Sequence, residues 1–416
     1  MASQDLFVGL DLGSTKTATI IAEVDDSGKG NVVGIGSGPS EGMKRGVVID
    51  IEKTIESIER SVEEAERMAG VQVNSVYAGI AGDHIRSINS SGIIAIARSS
   101  SRDRTGVVTK NDVDRVIEAA KAINLPMDRE VLHILPQDFA VDGQKGVKNP
   151  IGMMGVRLEA EVHIITGAVT SAQNIYRCVK QAGISVRDLV LEPLASSYAV
   201  LTNAEKELGV GLLDLGGGTT DLMIFHEGGI RFTSVIGVGG EMVTKDIGIV
   251  LRIPFEEAEQ LKLLHGHCFL PLLDGDEKIV LTGLGGRTKR EISRTLLTEI
   301  IQTRMAEIFA NAAKQIESAR MWDALRGGLV LTGGMARMDG VAELAEDIFD
   351  LPIKVGYPTG LGGLMESARN PTFATAIGLA LYGISRGDLP GPLRGDDSTI
   401  FQKIFGRMRG WFEDFF

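Results

Sequence analysis

Two short segments of the sequence have the residue types of a phosphate-binding turn. The first reads Asp11-Leu-Gly-Ser-Thr-Lys16 and the second reads Asp214-Leu-Gly-Gly-Gly-Thr-Thr220. In each segment, glycines without a Cβ allow backbone N–H groups to point at an anion, and the neighbouring hydroxyls add donors. Lys16 adds a positive point charge for a phosphate. The predicted phosphate ligands are Gly13, Ser14, Thr15, Lys16, Gly216, Gly217, Gly218, Thr219 and Thr220.

An aspartate precedes each of these turns. A carboxylate repels a bare phosphate, so Asp11 and Asp214 are better explained as partners of a hydrated Mg²⁺, which keeps several of its waters in proteins. Either turn alone also matches an ordinary glycine hairpin, whereas two matching turns are more specific. The sequence lacks G-x-x-x-x-G-K-[ST], and Gly34-Ile-Gly36-Ser-Gly38 is not followed by a helical pattern, which excludes the other common phosphate loops. The predicted ligand is a nucleoside triphosphate with Mg²⁺.

The turns belong to an internal repeat. Residues 6–36 and 209–240 each contain an apolar strand, the turn, a second strand, a polar glycine turn and a third strand. The two aspartates are separated by about half of the chain, as a duplicated domain requires. We therefore expect the two turns to face each other across a cleft between duplicated domains.

A second similarity between the two halves supports the duplication. Residues 73–82 and 329–336 each read as an apolar strand that ends in small residues. Residues 51–68 and 295–319 carry apolar side chains at spacings of three and four, which predicts helices. Strands followed by helices, twice over, predict a duplicated α/β fold.

Length and composition limit the class of protein. A chain of 416 residues exceeds one ordinary core, and 44% hydrophobic residues suffice for globular packing. A net charge of -12 argues against a nucleic-acid-binding body. Two distant cysteines indicate no disulfide framework and a reducing cytoplasm. We find no signal peptide and no run of roughly 18 apolar residues that would span a membrane.

The two turns, together with Leu331-Thr-Gly-Gly-Met335, resemble the three nucleotide-binding segments shared by actin, heat-shock chaperones and sugar kinases. The resemblance implies an α/β fold of duplicated actin-like (ribonuclease-H-like) domains around a nucleotide cleft, with two inserted subdomains. It also implies ATP as the nucleotide, with Gly333, Gly334 and Met335 lying against the adenosine.

Three further residues receive roles by this resemblance. Glu192, in Glu192-Pro193-Leu-Ala-Ser-Ser197, resembles an acidic residue that orients a water beside the metal. It would support at most weak ATP hydrolysis. Glu259 and Lys262 lie three residues apart on a predicted helix, 255–264, and so share a face. By resemblance they reach the ribose and base; the alternative is a solvated ion pair.

Residues 133–165, with Gly42-Met43-Lys-Arg-Gly46-Val-Val-Ile-Asp50, closely resemble the FtsA family of actin-like bacterial cell-division proteins. The resemblance extends from Phe7 to Phe416. It implies that an inserted subdomain 1C, residues 85–163, contacts other division proteins and that a second one, 2B, residues 246–326, takes up the C-terminal tail of FtsZ. Arg304 is our candidate contact for that tail, and a surface arginine with a local partner is the alternative. The predicted subdomains are 1A (1–84 and 164–200), 1C (85–163), 2A (201–245 and 327–384) and 2B (246–326).

The C-terminal segment has a different composition. Residues 385–398 are rich in proline, glycine and charge, which predicts a flexible linker. Residues 399–416 place their apolar side chains within an arc of about 160° when projected as a helix. Lys403, Arg407 and Arg409 lie outside that arc and suit an anionic membrane surface. The apolar positions are Ile400, Phe401, Ile404, Phe405, Met408, Trp411, Phe412, Phe415 and Phe416.

This pattern predicts a peripheral membrane-targeting helix; a groove on a partner protein or on the chain's own domain is the alternative. Together, the nucleotide-binding turns, the family resemblance and the C-terminal segment predict an ATP-binding protein that stacks head to tail into filaments. Many tails would then act together at the cytoplasmic face of the plasma membrane and anchor the FtsZ ring at the division site. A small-molecule (sugar-type) kinase or a pilus-assembly ATPase of the same fold remains the alternative.

Overall fold

The structure is a computed structural model. It describes residues 5–25, 28–97, 105–273, 275–282, 289–363 and 368–386. The predicted membrane-targeting helix, and the predicted linker beyond Arg386, lie outside the described residues.

The first half of the chain contains a five-stranded sheet with the order β13-β6-β1-β2-β3. In that sheet β1 is antiparallel to β2 and parallel to β6. The elements in chain order are β1 (Asp5–Leu12), β2 (Lys16–Val24), β3 (Gly30–Pro39), β4 (Met43–Lys44), β5 (Val47–Val48), α1 (Ile51–Ala69), β6 (Ser75–Ile80), β7 (Arg86–Ala95), β8 (Gly106–Val107), α2 (Lys110–Lys121), β9 (Arg129–Val141), β10 (Gln144–Val147), β11 (Met154–Gly155), β12 (Arg157–Ala168), α3 (Val169–Gln181), β13 (Ser185–Leu191) and α4 (Glu192–Val200).

The second half repeats this arrangement. Its five-stranded sheet has the order β16-β15-β14-β19-β20, again with an antiparallel hairpin on one side of the central strand and parallel strands on the other. The elements are α5 (Asn203–Leu208), β14 (Val210–Leu215), β15 (Thr220–His226), β16 (Gly229–Ile236), α6 (Gly240–Leu251), α7 (Phe255–His265), β17 (Lys278–Thr282), β18 (Lys289–Ser293), α8 (Arg294–Ala319), β19 (Leu329–Thr332), α9 (Val341–Phe349), β20 (Ile353–Val355) and α10 (Ala374–Ser385). The matching strand order confirms the predicted duplication.

Local sequence explains why these elements form. Every residue of β14 is buried, because its side chains enter two different hydrophobic cores: Val210 and Leu212 join one, and Leu213 and Leu215 join the other. Helix α1 is capped at its N-terminus by Asp50, whose side chain accepts a hydrogen bond from the N–H of Lys53, and at its C-terminus by Gly70 in the left-handed conformation. Among the described residues, no helix is both long enough and apolar enough to cross a membrane.

Helices α4 and α10 pack against each other between the two sheets. A Cβ placed on Gly378 would lie 1.9 Å from the Ala195 carbonyl oxygen, so the glycine permits this close approach. A Cβ on Gly9 of β1 would likewise lie 2.1 Å from the Ala376 carbonyl oxygen. The prediction that residues 327–384 all belong to the second half therefore needs correction. Helix α10 crosses back and completes the core of the first half, because nearly all of its side chains are apolar and buried there.

Residues 86–168 fold as an inserted unit with its own core. Its four-stranded sheet has the order β10-β9-β12-β7, and α2 packs on this sheet. The buried apolar residues of this core are Ile96, Val108, Val113, Val116, Ile117, Ala120, Ile134, Phe139, Val141, Leu158, Ala160, Val162 and Ile164.

The inserted unit also contacts β16, the edge strand of the second sheet. The Gln137 Nε2 donates to the Ile230 carbonyl oxygen at 2.6 Å. The ring of His163 lies between the Asn89 Oδ1, at 2.6 Å, and the Thr233 Oγ1, at 3.1 Å. Since Gln137, His163 and Thr233 are buried, the inserted unit is attached to the second sheet by hydrogen bonds that are costly to leave unmade.

We expect acid to weaken this attachment through His163. Burial lowers the pKa of this histidine from 6.5 to about 4, so the folded protein keeps the ring neutral while the unfolded chain takes up a proton. The free energy of unfolding should therefore fall as the pH drops from 6.5 to about 4, by about 3 kcal/mol at most. Denaturant unfolding at pH 7 and pH 5 measures this effect. His163→Gln should remove most of the difference; an unchanged pH dependence in that variant would contradict the assignment.

Candidate functional site

The structure places the two glycine turns face to face. They follow β1 and β14, the equivalent central strands of the two sheets. A Cβ on Gly218 would lie 2.3 Å from the Ser14 Oγ, and a Cβ on Gly217 would lie 2.5 Å from the Thr15 Cγ2. The cleft at this junction is lined by Asp11, Leu12, Gly13, Ser14, Thr15, Lys16, Gly46, Glu192, Asp214, Gly216, Gly217, Gly218, Thr219, Asp221, Gly333, Gly334, Pro371, Thr372 and Thr375.

Backbone donors are available on both turns. The N–H groups of Ser14, Thr15, Gly217 and Gly218 make no hydrogen bond within the described part of the chain. A Cβ on Gly13 would lie 2.8 Å from the Lys16 carbonyl oxygen, so the first turn is too tight for a side chain there. Unpaired N–H groups on two apposed turns form an anion-binding concavity.

The N-terminus of α6 fixes the second turn. The N–H of Gly240 donates to the Gly216 carbonyl oxygen at 2.9 Å, and the N–H of Glu241 donates to the Gly217 carbonyl oxygen at 2.8 Å. These bonds satisfy the acceptors of the turn and orphan donors of the helix at once. The turn is therefore held by a rigid element.

Four carboxylates, those of Asp11, Glu192, Asp214 and Asp221, surround the cleft. Burial raises the pKa of Asp11 to about 7, with Lys16 acting in the opposite direction and Asp214 adding to the rise. Burial, followed by Asp11, Asp221 and Asp214, raises the pKa of Glu192 well above its usual range. So many carboxylates cannot all ionise at close range without a cation.

Asp214 is positioned by elements from both halves. Burial raises its pKa, while hydrogen bonds from Ser196 and Thr375 lower it. The Ser196 Oγ of α4 donates to the Asp214 Oδ2 at 2.7 Å, and the Thr375 Oγ1 of α10 donates at 3.3 Å. A Cβ on Gly333 would lie 2.4 Å from the Asp214 Oδ1, so the segment Leu331-Thr-Gly-Gly-Met335, which we call the third turn, also abuts this carboxylate.

Asp221 was not among the residues predicted from the sequence, whereas Thr220 was predicted as a phosphate ligand. The hydroxyl of Thr220 is fully buried and donates to the Val238 carbonyl oxygen at 2.9 Å, so this residue does not line the cleft. Because side chains alternate along β15, the next residue, Asp221, faces the cleft instead. The Asp221 Oδ1 is buried without a hydrogen-bond partner, and burial raises the pKa of its carboxyl well above the usual range.

Lys16 points toward a segment that the sequence analysis did not identify. Its Nζ donates to the Thr372 carbonyl oxygen and lies 3.9 Å from the centroid of the Phe373 ring. Burial lowers the pKa of Lys16 to about 8, and Asp11 and Asp214 act in the opposite direction. Pro371, Thr372 and Thr375 thus join the site only through the return of the chain at α10.

The Glu259–Lys262 pair does not line the cleft. The Lys262 Nζ is 2.7 Å from the Glu259 Oε2 and donates to the Thr244 Oγ1 at 2.8 Å. With 6% of its side chain exposed, Lys262 is not part of a solvated ion pair. A Cβ on Gly240 would lie 2.7 Å from the Met335 Sδ and 3.6 Å from the Lys262 Nζ, which puts this pair near the third turn. A contact with ribose or base stays a prediction.

Arg304 is engaged within its own region. Its Nε lies 2.5 Å from the Asp246 Oδ2 and its Nη1 lies 2.5 Å from the Glu307 Oε2. The hydrogen bond to Asp246 raises the pKa of the guanidinium above its ordinary value. This geometry favours the alternative of an arginine with local partners.

The donor set fits a hydrated divalent cation. Among the described residues, no group of three or more histidine, cysteine, aspartate or glutamate side chains is arranged to hold a metal directly. The carboxylates around the cleft have raised pKa values, and the buried Asp221 Oδ1 lacks a donor. Water molecules carried by Mg²⁺ would supply donors to such carboxylates.

Two protein-family models match the chain. "Cell division protein FtsA" matches residues 211–378, and "SHS2 domain inserted in FTSA" matches residues 82–166. Curated relatives match almost end to end. Cell division protein FtsA of Pseudomonas aeruginosa is 46% identical over 92% of this chain and 90% of its own length. The protein of the same name from Neisseria meningitidis serogroup B is 42% identical over 100% of both chains.

Solved structures with a similar fold have much lower sequence identity. A chain of a PilM–PilN type IV pilus biogenesis complex superposes with a TM-score of 0.65 at 16% identity, covering 91% of this chain and 98% of that chain. MreB5 of Spiroplasma citri bound to ADP superposes with a TM-score of 0.55 at 16% identity, covering 91% and 96%. At this identity the likeness concerns the fold alone, and it confirms the predicted actin-like architecture.

Proposed function

The chain belongs to the FtsA family of cell division proteins, and we propose that it binds ATP with Mg²⁺ in the cleft between its two halves. The observation that carries this proposal is the meeting of the two turns. Ser14 and Thr15 touch Gly218 and Gly217 across the cleft, and all four have unpaired backbone N–H groups among the described residues. A polyphosphate between these turns would receive donors from both halves and hold them together.

Different groups of the cleft bind the phosphates and the metal. The backbone donors of the turns bind phosphate oxygens, and Lys16 adds one positive charge. Asp11 and Asp214, joined by Asp221, hold waters of the Mg²⁺, which when bound neutralises charge between the carboxylates and the phosphates. Glu192 stands at the first turn of α4 beside these carboxylates and is our candidate for orienting a water.

Asp214→Asn is expected to weaken ATP binding by about tenfold to a hundredfold when Mg²⁺ is present. The amide cannot accept hydrogen bonds from both metal-bound waters and the hydroxyls of Ser196 and Thr375. Nucleotide affinity should be measured with Mg²⁺ and with excess EDTA. The loss should be confined to the Mg²⁺ condition, and an equal loss in EDTA would show that the variant damages the cleft and not the metal site.

The two inserted regions are proposed as sites for partner proteins. Residues 85–163, whose strand β9 contacts β13 of the first sheet and β16 of the second, would contact other division proteins. Residues 246–326 would receive the C-terminal tail of FtsZ. Exposed apolar side chains support the second assignment, since Ile249 of α6 and Leu263 and Leu264 of α7 are 73%, 63% and 72% exposed. Such a surface suits a short acidic and apolar tail better than it suits solvent.

We further propose that subunits stack head to tail on the cytoplasmic face of the plasma membrane at the division site. Residues 399–416 would attach each subunit peripherally, and the stack would link the FtsZ ring to the membrane. The amphipathic pattern of the tail and the family membership support this part of the proposal. A filament makes a weak anchor effective, because many tails bind one surface at a high effective concentration.

A further inference from the structure

The tip of the hairpin formed by β4 and β5 has an unusual backbone. Arg45 and Gly46 both have positive φ, at 50° and 74°, as in a tight two-residue hairpin turn. Asparagine or aspartate usually occupies the first of these positions, because the left-handed conformation is unfavourable for a residue with a long side chain. A strained arginine in such a turn is a candidate for function.

This tip touches both glycine turns. The N–H of Gly46 donates to the Ser14 Oγ at 3.1 Å, and a Cβ on Gly218 would lie 3.0 Å from the Arg45 Cα. A Cβ on Gly46 would lie 2.7 Å from the carbonyl carbon of Ala81, which directly follows β6, so the tip packs closely against the end of this strand and has no room to move toward it. Arg45 is therefore fixed where the first turn, the second turn and the hairpin meet.

Arg45 lies at the end of the cleft away from the predicted adenosine site. The third turn, at Gly333, lies against Asp214 on the side where the adenosine is predicted. The hairpin tip instead contacts Ser14 and Gly218, which belong to the first and second turns. A triphosphate that runs from the third turn into the gap between the two glycine turns would place its terminal phosphate at the hairpin tip.

The side chains that line the cleft offer few positive charges to that phosphate besides the proposed Mg²⁺. Lys16 is the one basic side chain among the described residues that line the cleft, and it already donates to the Thr372 carbonyl oxygen. Arg45 is exposed and has no ion-pair partner within the described ranges. A guanidinium binds two phosphate oxygens at once, which a lysine ammonium does not.

We propose that Arg45 distinguishes ATP from ADP by binding the terminal phosphate at the mouth of the cleft. This inference rests on the proposed nucleotide site. The backbone donors of the glycine turns serve the phosphates that ATP and ADP share, whereas Arg45 serves the phosphate that only ATP has. The Gly46–Ser14 hydrogen bond then connects the hairpin to the first turn, so the hairpin responds to the presence of that phosphate.

Arg45→Asn tests this role without disturbing the turn, because Asn-Gly is a preferred pair for the same backbone. The control is Lys44→Ala, which removes the same charge one residue earlier on the same exposed hairpin. Affinities of the full chain for Mg²⁺ with a non-hydrolysable ATP analogue, and for Mg²⁺ with ADP, are measured by competition against a fluorescent nucleotide. Arg45→Asn should weaken binding of the ATP analogue about tenfold and binding of ADP less than twofold. Lys44→Ala should change neither by more than twofold.

Three results would overturn the inference. If Arg45→Asn binds the ATP analogue as tightly as wild type, the side chain does not contact the terminal phosphate. If Arg45→Asn lowers the affinity for both nucleotides equally, or if Lys44→Ala has the same effect as Arg45→Asn, the positive charge acts only by long-range attraction of any nucleotide and not by contact with the terminal phosphate. If the wild type binds neither nucleotide, the proposed site itself fails, and this outcome is distinct from the first two.

Discussion

Gly218→Val should lower the affinity for ATP by at least about a hundredfold, which corresponds to about 2.7 kcal/mol. A Cβ at this position would lie 2.3 Å from the Ser14 Oγ and 2.8 Å from the Ser14 Cβ. A branched side chain would therefore push the two glycine turns apart. The donors would then no longer converge on one phosphate group, since hydrogen bonds weaken steeply outside their narrow distance range.

Gly237→Ala is the matched control for this prediction. Gly237 lies in the same half of the chain, shortly after β16, and a Cβ there would meet only the Asp83 Cβ, at 3.8 Å. This variant should bind ATP as the wild type does. Thermal unfolding of both variants without nucleotide reports whether the fold is intact. Normal nucleotide affinity in Gly218→Val would refute the placement of phosphate between the turns.

Truncation after Arg394 should abolish binding to vesicles that contain anionic lipid. The removed residues carry five phenylalanines and one tryptophan. Each such side chain contributes roughly 1.5–3 kcal/mol when it is fully buried, so even partial insertion of several rings dominates the attachment. Co-sedimentation with vesicles measures the effect. Nucleotide affinity should stay unchanged, because the cleft is built from residues between Asp11 and Thr375.

Substitutions within the tail separate membrane insertion from other uses of this segment. Trp411→Asp with Phe412→Asp should remove vesicle binding as completely as the truncation does. Glu413→Ser with Asp414→Ser is the control, which changes two neighbouring residues on the polar side and removes two negative charges. It should bind anionic vesicles at least as well as wild type. Equal lipid binding by the truncated and full-length chains would exclude the anchor.

The sequence by itself determined the duplicated architecture and the chemistry of the two turns. Asp11-Leu-Gly13 and Asp214-Leu-Gly216 recur because each turn needs a glycine for backbone approach and an acid beside the metal. These residues are consecutive in the sequence, and the apolar strands that hold each turn lie directly before and after it. The equivalence of β1 and β14, confirmed by the matching strand orders, could therefore be predicted without knowledge of distant contacts.

The tertiary structure decided which other groups complete the cleft. Thr375 reaches Asp214 from a position 161 residues later in the chain, because α10 crosses back between the two sheets. Asp221 lines the cleft and Thr220 does not, because of which face of β15 is turned to the cleft. The contact of Arg45 with the second turn depends on the closure of the two halves. None of these features has a local sequence pattern, since each arises from the packing of segments that are remote along the chain.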